Sequence, residues 1–247
     1  MTATVRCLQR AGRFDLALAA LTGLTGYPGL ADRPDQGDTA GPRWAVELRA
    51  EILVDRHLWQ LDPTGPAWAA IGAVEAGGNS ALAGLLSGQL LYWRMLNTPG
   101  RPGDQAETAA SALDRAAADP ALTGWATFWL GVLADNISRD ASTAAERYAW
   151  AATVADTSGD RLLASYTDRH QGFHRVADGD GDAGVLLLRR SLYSRATLGA
   201  VPHVAAAQAA LAVELPHGEE RQALRTSARQ AARELDLGWL LAHLGGE

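Results

Sequence analysis

The 247-residue chain contains no lysine, so its 22 positive charges are all arginines, and against 28 acidic residues they leave a net charge of −6. A negative total gives no electrostatic grip on the phosphates of nucleic acid or of anionic lipid. The single cysteine, Cys7, excludes an internal disulfide framework and any Cys-x-x-Cys metal or redox pair, which fits a reducing cytoplasm. No run approaches the ~18 apolar residues of a membrane span, and the first ten residues lack the apolar segment of a secretory signal. Also missing are G-x-x-x-x-G-K-[S/T], G-x-S-x-G and any G-x-G-x-x-G lying between a strand and a helix. Nothing therefore points to a nucleotide cofactor or to covalent catalysis, and no cofactor is expected.

Strand signals are scarce as well, because β-branched residues are few and no stretch alternates convincingly. What is present is a 47% apolar chain, enough for a substantial core, with alanine making up roughly a fifth of it. Apolar stretches of helical period are separated by short Gly, Asp and Pro turns. Helices are predicted over 3–10, 13–24, 43–60, 65–76, 80–97, 104–118, 121–137, 140–157, 160–177, 181–198, 201–214, 218–235 and 237–244. The fold class is all-α: six antiparallel hairpins and a final short helix, read as a single helical domain over 1–247. Gly residues closing one helix and acidic residues opening the next punctuate the turns at 11–15, 138–140, 178–182 and 216–220. Only the connection over 27–42 is long for packed helices, and it is either a solvated insertion or a lid.

An internal repeat supports this reading. Gly88, Gly131 and Gly172 stand mid-way along the first helices of successive hairpins, 43 and 41 residues apart. In the second helices Ala144, Tyr148 and Ala151 share one face, and Ala183 with Leu187 follows 39 residues after Ala144. Leu130-Gly131 with Ala144-x3-Tyr148-x2-Ala151, and more loosely Gln171-Gly172 with Ala183-x3-Leu187, resemble the tetratricopeptide repeat pattern. The likeness is to the long-period repeats of actinobacterial LuxR-type and antibiotic-regulatory-type transcriptional regulators, over about residues 79–236. It implies a right-handed α-solenoid that works by binding, with the first helices lining a concave face. With neither a phosphate-binding loop nor a helix-turn-helix, the ATPase and DNA-binding functions of those regulators are not carried over. The short first helix makes Met1 the start of a shortened repeat or of a fragment of a longer regulator.

Alignment on the Leu-Gly positions implies a concave face of Gln89, Tyr92 and Trp93, then Trp125, Phe128, Trp129, Asp135 and Asn136, then Tyr166, Arg169, His170 and Phe173. Such a face suits a peptide segment or a small apolar molecule, since rings give contact area at little entropic cost. The plainer alternative is that several of the rings only fill space between alanines. The leading expectation is an adaptor or ligand sensor in the regulation of secondary metabolism. The rival is a small enzyme using Tyr166, Asp168, His170 and His174 as acid/base groups or metal ligands.

His170 and His174, four apart on one helix face, could share a metal only with a third ligand from Asp135, Asp168 or His203, and Gln171 stands where a metalloprotease helix has its Glu. The Asp178-Gly-Asp-Gly-Asp182 run fails as a calcium loop because Ala183 and Arg189 replace the required Gly and Glu. Arg221, Arg225, Arg229 and Arg233 form a ridge, either a docking or oligomer surface or a solvated face neutralised by Glu219, Glu220 and Glu234.

Overall fold

Helix follows helix along the chain because alanine-rich segments of helical period meet a stop signal about every twenty residues. A computed structural model describes residues 2–25, 42–97 and 103–245, and it is all-α, with no strand among those residues. Its helices are α1 (Thr2–Arg10), α2 (Phe14–Thr25), α3 (Arg43–Gln60), α4 (Gly65–Ala76), α5 (Ser80–Asn97), α6 (Gly103–Ala117) and α7 (Thr123–Leu133). After these come α8 (Ala141–Ser158), α9 (Arg161–Ala177), α10 (Gly181–Thr197), α11 (Val201–Glu214), α12 (Glu219–Glu234) and α13 (Gly238–Leu244). The bounds agree with the sequence expectation to within two residues except at 121–137, where α7 ends early and a π-helical turn takes over at Ala134–Ser138. Arg139 then turns left-handed, at φ 58°, to release the chain into α8. Except for Pro42, the 27–42 connection lies outside the described residues.

The stop signal is a glycine in the left-handed region followed by a residue that opens the next helix. Gly159, Gly179 and Gly199, twenty residues apart, have φ of 69°, 88° and 65°, a conformation that costs a side-chain-bearing residue about 1 kcal/mol or more. Asp160 then accepts from the Leu162 and Leu163 amides at 3.1 and 3.0 Å, and Asp180 accepts from Ala183 at 3.3 Å. Asp180 thus spends its carboxylate on starting α10, which accounts for the 178–182 acidic run as an interhelical turn.

The chain divides into two compact units, residues 1–9, 13–58 and 62–147 in the first, and 10–12, 59–61 and 148–247 in the second. In unit 1 the core gathers Val46, Ala50, Leu53, Val54 and Leu58 of α3 with Ala67, Ala70, Ile71 and Val74 of α4 and Leu82, Leu86 and Leu90 of α5. Helices α5 and α6 approach closely where α5 has no Cβ: one added at Gly84 would lie 2.6 Å from the Ala112 carbonyl oxygen, and one at Gly88 2.5 Å from Leu113. Helix α1 is tied to α3 by Arg6 on Glu51 and by Gln9 Nε2 donating to Asp55 at 2.6 Å. Burial, with the charge of Glu51, pushes the Asp55 carboxyl up to about 6.

In unit 2, α9 and α10 meet glycine on glycine. A Cβ at Gly184 would stand 2.7 Å from the Gly172 carbonyl and 2.4 Å from Val176, and one at Gly172 3.1 Å from the Gly184 carbonyl. Leu188, Leu211 and Leu215 form the adjoining core, with Phe173, Val185, Leu192 and Leu224 packed on it. Along α10 the buried positions Gly184, Leu188, Ser191 and Arg195 follow one another at helical spacing, so this stripe begins apolar and ends on a charge. Tyr148, Ala151 and Ala155 of α8 are buried on one face. The arginine ridge of α12 is partly spent locally: Arg221 donates to the Leu215 carbonyl at 3.2 Å and Arg229 to the Leu244 carbonyl at 2.7 Å. Glu220 does not neutralise the ridge but forms a two-point pair with Arg189 of α10.

Candidate functional site

Each unit holds a group of the residues singled out in the sequence. In unit 1 the helical spacing of α5 and α7 brings five rings into a row. Centroids are 5.8 Å apart for Trp93 and Tyr92, 5.5 Å for Tyr92 and Trp129, 5.6 Å for Trp129 and Phe128, and 6.1 Å for Phe128 and Trp125. These are tilted and edge-on arrangements of the kind aromatic quadrupoles favour. Tyr92, Phe128 and Trp129 are buried, whereas Trp93 and Trp125 at the two ends are half-exposed. The space-filling alternative therefore describes Tyr92, Phe128 and Trp129, while Trp93 and Trp125 are in part open to solvent. Trp93 also packs against the unit 1 core and donates its indole N–H to the Leu58 carbonyl at 2.9 Å.

Trp129 differs. Its indole nitrogen is buried and has no hydrogen-bond partner among the described residues. Such an orphan donor costs about 1–3 kcal/mol and calls for an explanation. Beside it the π-helical turn carries Asp135 and Asn136, both half-exposed, and Asn136 Nδ2 donates to the Tyr92 hydroxyl at 3.0 Å. Extra-residue turns of this kind cost helix regularity and re-aim side chains, and they recur at functional sites. Gln89 is half-buried one turn before Tyr92 and Trp93.

In unit 2, Tyr166, Arg169, His170, Phe173 and His174 lie on one side of α9, every one of them partly exposed. Arg169 stands over the Phe173 ring at 5.3 Å, and that ring also packs against the core of unit 2. Both histidines face Tyr148, with ring centroids 4.8 Å away for His170 and 5.5 Å for His174. Burial, joined by the positive charges of Arg169, Arg195 and His174, holds His170 well below the ordinary imidazole range and hence neutral at pH 7. Asp168 is buried, and Arg190 takes both of its oxygens, Nε donating to Oδ2 at 2.8 Å and Nη2 to Oδ1. That carboxylate is committed to an ion pair, which leaves the Tyr166, Asp168, His170 and His174 group without a free carboxylate. Among the described residues no three His, Cys, Asp or Glu side chains are grouped to hold a metal ion, so neither Asp135, Asp168 nor His203 completes a set with His170 and His174.

Two residues of this neighbourhood escape a search by repeat position. Arg195 is a fully buried arginine on α10, and Trp59, at the end of α3, is 9% exposed and edge-on to His203 at 5.0 Å. The buried stripe Gly184-x3-Leu188-x2-Ser191-x3-Arg195 was the available signal for the first. For Trp59 no local signal exists, because its neighbours come from more than a hundred residues away.

No protein-family model, curated protein or solved structure matches this chain. Among the described residues no helix is long and apolar enough to cross a membrane.

Proposed function

We propose that this chain is a helical-repeat binding protein, an adaptor or ligand sensor of tetratricopeptide-like architecture working in the cytoplasm. Its ligand is a peptide segment or a small apolar molecule carrying a carbonyl. The observation that carries the reading is the unit 1 aromatic row with its orphan. The partly exposed rings of Trp93 and Trp125 offer contact area at little entropic cost over a base of three buried rings, and the buried indole N–H of Trp129 lacks an acceptor. Half-exposed Trp93, Trp125, Asp135 and Asn136 supply the rim through which such a ligand reaches it.

The repeat architecture is supported by the way the helices pack. Within each unit the main contacts run between helices adjacent in the chain, α5 with α6, α6 with α7, α9 with α10, α10 with α11 and α11 with α12. Beyond these, α5 touches α7 and α9 touches α11. Contacts dominated by chain neighbours are what stacked hairpins produce, with the meeting of Trp59, at the end of α3, and His203 of α11 as an exception. The buried Ala144, Tyr148 and Ala151 occupy the small and aromatic positions of the second-helix pattern.

The reading is tested by native mass spectrometry on untagged protein from its own host, wild type beside Trp125→Ala. A bound mass that is lost or at least tenfold depleted in the variant, with helicity unchanged by circular dichroism, is the expected result. A bound mass indifferent to Trp125 would remove the aromatic row from the account.

A further inference from the structure

Unit 2 buries a guanidinium that no carboxylate among the described residues pairs with directly, the carboxylate whose charge reaches it, Asp168, being held by Arg190. Arg195 is 2% exposed. Its Nε donates to Ser165 Oγ at 3.2 Å, its Nη1 to the His203 carbonyl at 3.1 Å and its Nη2 to the Ser165 carbonyl at 3.4 Å. The guanidinium carbon stands 4.6 Å from the centre of the Tyr166 ring. Every one of these acceptors is neutral. Among the described residues no carboxylate pairs with Arg195, and the nearby acid, Asp168, is taken up by Arg190. A guanidinium has five N–H donors, so two coplanar ones remain after these three bonds.

The adjoining imidazole is also incomplete. His203 is 9% exposed, lies edge-on to Tyr166 at 5.5 Å and to Trp59 at 5.0 Å, and its buried Nδ1 has no hydrogen-bond partner among the described residues. The row continues through Trp59 to Trp239 at 5.9 Å. A buried cation without a paired carboxylate and an orphaned buried polar atom are each costly, and here they are neighbours on α10 and α11. Burial lowers Arg195 to about 10, so it keeps its charge at neutral pH, while burial and the charges of Arg195 and Arg10 drive His203 down to about 3 and keep it neutral.

We propose that Arg195 and His203, walled by the rings of Tyr166 and Trp59, form a binding site for the carboxylate of a small planar acid. The two remaining guanidinium N–H groups match the two oxygens of a carboxylate. Nδ1 of His203 adds a third bond, as donor in the tautomer that carries its proton there. A monoanion balances Arg195 one for one, whereas a phosphate would bring a second charge into the interior. The flat part of the ligand lies against the rings. This site belongs to unit 2 and stands independently of the unit 1 aromatic row.

The competing role for Arg195 is that of a strut joining the Ser165 and His203 carbonyls, and calorimetric titration separates the two. The probes are benzoate, its neutral isostere benzamide, and inorganic phosphate, at pH 7.5. Benzoate should bind the wild-type chain at least tenfold more tightly than benzamide or phosphate. Arg195→Met, with helicity checked by circular dichroism, should abolish that preference, and His203→Phe should weaken benzoate several-fold. Equal binding of benzoate and benzamide, tighter binding of phosphate, no binding of any probe, or a preference that survives in folded Arg195→Met would each overturn the proposal. Should Arg195→Met fail to fold, the wild-type comparison and His203→Phe still decide it. Because Trp125 is remote from these groups in sequence and lies in the other unit, failure here leaves the unit 1 reading to its own test.

Discussion

Replacing Gly184 by alanine puts a methyl group where the α9 and α10 backbones touch. The new Cβ would lie 2.7 Å from the Gly172 carbonyl oxygen, 3.1 Å from the Val176 amide nitrogen and 2.4 Å from the Val176 side chain. Val176 can rotate, but the carbonyl cannot move without shifting its helix, so the two helices must part by several tenths of an ångström. Such overpacking costs about 1–3 kcal/mol. Against it stands the ordinary gain of alanine over glycine inside a helix, about 1 kcal/mol. Because two of the contacts are with backbone atoms, the cost falls in the upper part of that range, about 2–3 kcal/mol, so the clash wins and a net loss of about 1–2 kcal/mol is expected. Gly72 of α4 is the control, since a Cβ there meets nothing within 4 Å. Gly72→Ala should therefore stabilise by up to about 1 kcal/mol. The same chemical change thus has opposite signs at two helical positions. Urea denaturation followed by circular dichroism reads both as midpoint shifts. A neutral or stabilising Gly184→Ala would refute the close packing of α9 on α10, and the repeat argument built on it.

Three further outcomes follow from the charges. Arg190→Ala leaves the buried Asp168 carboxylate unpaired and should cost about 1–3 kcal/mol, whereas Arg189→Ala, which breaks the solvent-screened pair with Glu220, should cost clearly less; equal losses in urea denaturation would contradict the placement of Asp168. His203 titrates near 3 when folded and near 6.5 when unfolded, so its contribution is intact above pH 6.5 and is lost as pH falls toward 3, at about 2 kcal/mol by pH 5; the pH dependence of stability over this window should flatten in a His203→Phe variant, and an unaltered slope would contradict the burial. Asp55 has the opposite sign: its carboxyl, raised to about 6 from 3.8, favours the folded state as pH falls through 6, and Asp55→Asn should remove that gain and raise stability at pH 7.5, so a variant no more stable than wild type at pH 7.5 would count against it.

The helical fold was legible because its cues are local. Apolar period, alanine content and the Gly-Asp turns act within a few residues, so the ends of α3, α4, α5 and α11 could be read directly. The π-helical turn at Ala134–Ser138 was not legible, since apolar residues continue at helical spacing through Leu133 and Ala134 and nothing nearby announces an extra residue. Burial was read less well than helicity. Tyr92, Phe128 and Trp129 lie inside unit 1 although repeat position implied a concave surface for them, and Asp168, a candidate acid, is held by an arginine from the next helix. Pairing of that kind depends on how α9 and α10 face each other, which spacing along one helix does not encode. Arg195 is the sharpest case, a charge on a stripe that otherwise reads as core.

The central claim is that the unit 1 aromatic row exists to hold a ligand, and the most direct measurement is the mass of the intact chain as it leaves its own host. Native mass spectrometry should find a bound species on the wild-type protein, released with a matching change in tryptophan emission and absent from Trp125→Ala. A wild-type protein carrying no bound mass, whose tryptophan emission is also unmoved by its host's peptide and small-molecule extracts, would contradict it.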